Sequence, residues 1–257
     1  MIKAKEGKIS KMKKDRLIRL AAILLFLFGM ASCSNRTDET PVNTISRSEA
    51  QIFLYGEKHG IDEVIQKEFE IWHDHYHNDG MRHLFLETPY YTGEFLNIWM
   101  REDNDDILDA IYNDLEGTSS HVPALKDFYQ KIKEQCPETI FHGTDVGHQF
   151  FSTGERYLEY LRQNDLVDSE QYLIAQKVME QGQNFYDTSD DVYRENKMTE
   201  NFIRAFDSLE DEKIMGIYGA SHTGLNKLDY TGKVPCMANQ LRQQYGDIIY
   251  TEVITRK

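Results

Sequence analysis

The chain is poor in the residues that mark loosely organised or stapled proteins. Its 257 residues include 16 glycines, five prolines and three cysteines. So little glycine and proline excludes a flexible low-complexity chain and a collagen-like fibre. Three cysteines are too few for a disulfide-stapled scaffold. There is no glycine-rich phosphate loop and no Gly-x-Gly-x-x-Gly after a strand. Repeated apolar runs of about 20 residues, the length that spans a bilayer, are missing too, which excludes a polytopic membrane protein. Basic residues are scarce beyond the N-terminus. Of 29 Lys/Arg and 43 Asp/Glu, residues 1–32 hold eight basic and two acidic, which leaves 21 basic against 41 acidic and a net charge of −20. Such a body repels a phosphate backbone, so nucleic acid is not an expected partner.

What is present describes a chain that folds. Hydrophobic residues make up 40% and charged residues 28%, and the length fits one domain, or at most two small ones. Residues 3–19 are basic, residues 20–30 (LAAILLFLFGM) are apolar, and Ala31, Ser32 and Cys33 follow. This is the layout of a secretory signal, and the apolar run is too short to favour a permanent membrane span. Met30-Ala31-Ser32-Cys33 resembles a bacterial lipobox, which implies cleavage before Cys33, lipid attachment there and a location at the cell envelope. Residues 33–48 are polar and read as a tether, with the folded domain over residues 49–257. Cys136 and Cys236 are left to pair with each other or to stay as buried thiols.

From residue 50 onward short apolar runs alternate with long amphipathic stretches. Strands are expected at 51–55, 82–87, 139–141, 213–218 and 247–254. Helices are expected at 61–78, 92–100, 104–115, 123–135, 152–164, 168–185, 190–208 and 235–245. The alternation predicts a single α/β domain with a mostly parallel central sheet flanked by helices. Ligands of such sheets bind outside the carboxyl ends of the strands.

Chemistry-bearing residues collect at those ends. Gly56-Glu57-Lys58-His59 follows the first strand, Glu87 closes the second, His142-Gly143-Thr144-Asp145-Val146-Gly147-His148 follows the third, and Gly219-Ala220-Ser221-His222 follows the fourth. Two strands thus leave through Tyr-Gly-x-x-His, with each glycine expected to permit a sharp turn. Two imidazoles with Glu57 and Glu87 suit general acid–base work, and they equally suit a divalent metal held by Glu57, His59, Glu87 and His222. On a helix Arg194, Met198 and Asn201 share a face, so Arg194 is placed to hold a carboxylate of the cluster or an anionic substrate group. Tyr90 lines a pocket, ligates haem or simply packs, and packing is the expectation. His73 and His77 are spaced for a metal but lie at the far end of their helix, where a solvated end is expected. Ser221 is not expected to be a nucleophile. The second glycine of its Gly-x-Ser-like stretch comes one place late, and no His follows His222.

The Gly-Glu-x-His after the first strand, the Glu ending the second, the Arg-x-x-x-Met-x-x-Asn helix and the late Gly-x-x-His resemble the erythromycin esterase / ChaN / Tiki superfamily across residues 50–254. One branch implies a His-based general base that activates water for ester hydrolysis. Another implies a divalent-metal protease, and the third a haem-binding lipoprotein of iron uptake. Carried over by motif, Glu57, His59, Glu87 and His222 are the site residues, with Arg194 in support. Asn201, Tyr90 and Asp145 are further candidates for contact with a small-molecule or peptide substrate. The branch stays open: hydrolase, or non-catalytic carrier of haem or a metal.

Overall fold

Five parallel strands lie in the order β3-β2-β4-β1-β5: β1 (Ile52–Glu57), β2 (His83–Pro89), β3 (Ile140–Asp145), β4 (Ile214–Gly219) and β5 (Ile249–Val253). The computed structural model that shows this describes residues 47–256. The signal segment, Cys33 and all but the last two residues of the tether lie outside the described residues.

Parallel strands need helical crossovers, and eight α-helices are present among the described residues. They are α1 (Asp62–Asn78), α2 (Tyr90–Trp99), α3 (Asp106–Asp114), α4 (Pro123–Gln135), α5 (Glu155–Gln163), α6 (Glu170–Thr188), α7 (Asp191–Asp207) and α8 (Met237–Tyr245). None is long and apolar enough to cross a membrane. Pro123 opens α4, and the Ser169 and Asp190 side chains cap α6 and α7 by accepting from the backbone N–H of Tyr172 and Tyr193.

Strand residues alternate between two cores. Phe53, Tyr55, Leu84, Leu86, Met215 and Ile217 pack with residues of α1 to α6. Ile52, Leu54, Phe85, Ile214 and Tyr218 pack against Met198 and Phe202 of α7 and Met237, Ala238 and Leu241 of α8. Both faces are covered, which is why these strands read as continuous apolar runs.

Three differences from expectation matter for the site. The third strand runs to Asp145, so His142 lies within it, stacked on Phe85 at 4.5 Å and bonded to His83 at 2.9 Å, rather than beyond its end. Gly56 and Gly219 do not turn the chain: Gly56 sits inside β1, Gly219 is the last residue of β4, and the left-handed conformation falls on Gly60 (φ 71°). Helix α5 is preceded by a π-helical turn, Phe150–Gly154, set up by Gln149 in the left-handed region (φ 50°). Cys136 and Cys236 are buried free thiols. At the far end of α1, the buried His75 hydrogen-bonds Tyr55 Oη (2.9 Å) and Asp79 (2.7 Å), while the rings of His73 and His77 meet at a tilt of 51°.

Candidate active site

The ends of β1, β2, β3 and β4 bring Glu57, Glu87, Asp145 and Gly219 to one edge of the sheet. A bulge does the aiming. Leu86 pairs with Gly143 but Pro89 pairs with Asp145, so Glu87 lies where β2 carries one extra residue. Gly143 is required there, because a side chain would strike the Pro89 carbonyl. At the centre, a Cβ on Gly219 would come within 3.1 Å of His59 Nε2, 3.3 Å of Glu87 Oε2 and 3.5 Å of His222 Cδ2. The missing side chain lets three groups meet.

Glu87 is the hub. Its Oε2 accepts the Gly219 backbone N–H at 2.6 Å and lies 3.8 Å from His59 Nε2. Its Oε1 accepts from Arg194 Nη2 at 2.6 Å and lies 3.5 Å from His222 Nε2. His59 Nδ1 bonds Glu57 Oε1 at 2.5 Å, and His222 Nδ1 bonds Glu195 Oε2 at 2.6 Å. Arg194 also donates to both Asp145 oxygens, at 3.1 and 2.5 Å. The structure thus brings Glu57, His59, Glu87, His222, Arg194 and Asp145 together.

Two candidates do not join them. Asn201 is buried behind the site, where it donates to the Asp145 carbonyl and exchanges hydrogen bonds with Gln181. It supports β3 and is out of a substrate's reach. Tyr90 turns its ring edge-on to Tyr157 and lies beside the Arg204 guanidinium, off the pocket.

The charges explain each other. The hydrogen bond to Glu57 lifts His59 to about 9 against the effect of burial, and the Glu87 charge adds to it. Burial opposes the charged forms of Glu87 and Asp145. His222 and Arg194 outweigh it at Glu87, and Arg194 and His148 at Asp145, so both carboxyls stay below the usual range. His222 is raised, because Glu195 and Glu87 outweigh the burial that favours a neutral ring.

These residues open onto a cavity of about 320 Å³, at the small end of the range for small-molecule pockets. Glu57, His59, Glu87, Asp145, His148 and Arg194 form a charged wall. Leu86, Ile111, Leu115, Leu125, Phe128 and Ile217 form an apolar one. His59 keeps 39% of its side chain exposed, whereas His222 is 4% exposed, so His59 is the imidazole that solvent and substrate reach.

The carboxylates at the centre are already engaged by the protein itself. A dication needs carboxylate and imidazole lone pairs that are free to point at it. Here both Glu87 oxygens are taken by Arg194 and the Gly219 N–H, both Asp145 oxygens by Arg194, and both Glu195 oxygens by His222 and the Met237 N–H. The guanidinium already supplies the positive charge. Among the described residues no three His, Cys, Asp or Glu are arranged to hold a metal ion.

Three participants were missed in the sequence. Glu195 stands beside Arg194, and His148 ends the stretch after the third strand, with no pattern of their own to mark them. Glu68 left a legible signal. It falls on the apolar face of α1, in line with Ile61, Val64, Ile65 and Trp72, where a charge is out of place. It is 3% exposed, lines the pocket and leaves Oε1 without a hydrogen-bond partner among the described residues. Burial, then the charge and hydrogen bond of Glu57, raise it to about 9. The folded protein therefore keeps a proton on Glu68 that the unfolded chain releases near pH 4.5, and stability falls as pH rises between those values. Replacing Glu68 by Gln is expected to remove that slope, up to about 1.4 kcal/mol per pH unit. Urea denaturation at pH 5, 6.5 and 8 measures it, and parallel pH dependences of the two proteins would contradict the assignment.

No family model matches the chain, and no curated protein matches it. Solved structures do. An erythromycin esterase mutant in its open conformation superposes with a TM-score of 0.57 at 11% identity, covering 80% of this chain and 70% of that one. A Bacillus cereus protein gives 0.57 at 14% identity, over 80% of this chain and 65% of that one. A succinoglycan biosynthesis protein gives 0.58 at 12% identity, over 79% of this chain and 65% of that one. The chain spans about two thirds of each of these structures. The likeness agrees with the resemblance carried by the sequence motifs, and it shows that this polypeptide has the fold these proteins share.

Proposed function

We propose that the protein hydrolyses an ester or amide bond of a small molecule without a metal ion, with His59 as general base. One observation carries this: His59, the most exposed imidazole of the site, is bonded through Nδ1 to Glu57, which fixes the tautomer that leaves the Nε2 lone pair free. Water bound at Nε2 gives up a proton as its oxygen attacks the carbonyl carbon. Arg194, held on the same wall by Glu87 and Asp145, has the charge to stabilise the developing oxyanion. His222 and Glu195 act from behind by fixing Glu87. The esterase among the fold relatives supports the reading. Tyr90 stands off the pocket, so the haem alternative draws no support from it. Anchoring at Cys33 and an envelope location belong to the same proposal and rest on residues 1–48 of the sequence.

The test is hydrolysis of short-chain esters by the purified protein across pH, with and without EDTA. The base works only when deprotonated, so kcat/KM is expected to rise about tenfold per pH unit and to level off near pH 9, where His59 titrates. EDTA is expected to change nothing. Activity lost to EDTA and restored by a divalent cation would overturn the metal-free mechanism, and no hydrolysis at any pH would overturn the hydrolase reading.

A further inference from the structure

Ester or amide hydrolysis needs an acid as well as a base, because the leaving oxygen or nitrogen must be protonated as its bond to carbon breaks. The charged wall holds a second hydrogen-bonded chain that does not pass through His59. Asp145 Oδ2 bonds His148 Nε2 at 2.9 Å, and His148 Nδ1 bonds the Tyr186 hydroxyl at 2.6 Å. All three residues line the pocket. The chain has a buried end and an open one. Asp145 is buried and pinned by Arg194 and by the Val146 N–H, while Tyr186 on α6 is 53% exposed. The rings of Phe185 and Phe150 flank the open end, with His148 edge-on to Phe185 and Phe150 at 6.0 Å from Tyr186. A carboxylate that orients an imidazole, which in turn holds a hydroxyl at a pocket wall, is the arrangement that readies a hydroxyl for proton transfer.

Resting on the hydrolase reading, we propose that Tyr186 is the general acid of the reaction, with His148 and Asp145 as its positioning residues. In the step, water oxygen bonds to the carbonyl carbon and its proton goes to His59 Nε2. The bond from that carbon to the leaving oxygen or nitrogen then breaks, and its electron pair takes the proton of the Tyr186 hydroxyl. The phenolate, still hydrogen-bonded to His148, takes a proton from solvent. His59 releases its proton to solvent, so nothing is consumed but water. The groups around the phenol agree with this role. Burial first, then the Asp145 charge, raise Tyr186 above the ordinary tyrosine value, with Arg194 pulling the other way. The phenol therefore keeps its proton over the range in which His59 loses its own.

Leaving-group dependence tests the assignment. Butyrate esters of ethanol, trifluoroethanol, phenol and 4-nitrophenol are compared for the wild type, Tyr186→Phe and His148→Leu. A nitrophenolate needs little help to leave and an alkoxide needs a great deal. Tyr186→Phe is expected to lower kcat on the ethyl ester by 100-fold or more and on the nitrophenyl ester by less than tenfold. His148→Leu should shift the series in the same sense by a smaller factor. Equal losses on all four esters, or no loss, would overturn Tyr186 as the acid while leaving His59 as the base intact. A wild type inactive on the whole series would instead defeat the hydrolase reading, and this assignment with it.

Discussion

Arg194→Met should destabilise the protein by about 3–5 kcal/mol at neutral pH, the range for removing one partner of a buried ion pair. The guanidinium donates to Glu87 and to both oxygens of Asp145, and the Asp145 side chain is 1% exposed. Without Arg194 two carboxylates stay in a low-dielectric setting with no cation that bridges them. Lysine is not an equivalent replacement, because a point charge cannot reproduce the fork that spans two carboxylates. The effect should depend on pH in a set direction. Glu87 and Asp145 are held below their ordinary values in the fold, so their contribution to stability is present above about pH 4 and is lost as pH falls below it. The gap between wild type and variant should therefore narrow in acid. Urea denaturation followed by circular dichroism at pH 7.5 and pH 3 reads both. A loss under 1 kcal/mol at pH 7.5 would mean that the cluster is not the electrostatic centre described here.

His59→Ala should lower kcat/KM by about 10²–10⁴-fold, the usual contribution of a general base, while the protein stays folded. Its side chain is 39% exposed and leaves no large void. His222→Ala is expected to behave differently. Both follow Tyr-Gly-x-x, so the sequence offers no way to rank the two imidazoles. The structure separates them. His222 is 4% exposed and stands between Glu195 and Glu87, so removing it strands buried carboxylates and costs stability as well as activity. Thermal unfolding beside ester hydrolysis distinguishes the two variants. His59→Ala with wild-type turnover, or with a collapse in stability matching that of His222→Ala, would remove His59 from the role of reachable base.

Much of the architecture was legible because it follows from local periodicity. The runs around Phe53, Leu84 and Met215 are apolar on both faces, which is what a parallel sheet covered by two helical layers requires. The strand ends then told which residues to compare, and Glu57, His59, Glu87, Arg194 and His222 meet around one carboxylate. Asn201 shows the limit of that reasoning. Its helical spacing with Arg194 placed it on the correct face, but the face turns its lower end into the protein, where the amide serves the Asp145 carbonyl instead of a ligand. Tyr90 takes the packing alternative: α2 begins at that residue, and its ring lies edge-on to Tyr157.

By itself the sequence determined the α/β alternation, the strand-end positions of the titratable groups and the acidity of the body, since each depends on residue type and period alone. Only the tertiary structure decided which of two look-alike histidines is open to solvent, that a guanidinium occupies the centre of the carboxylates, and that His148 joins Asp145 to Tyr186 across 41 residues of chain. Burial and charge pairing are set by what packs from other elements, and no local pattern carries that information.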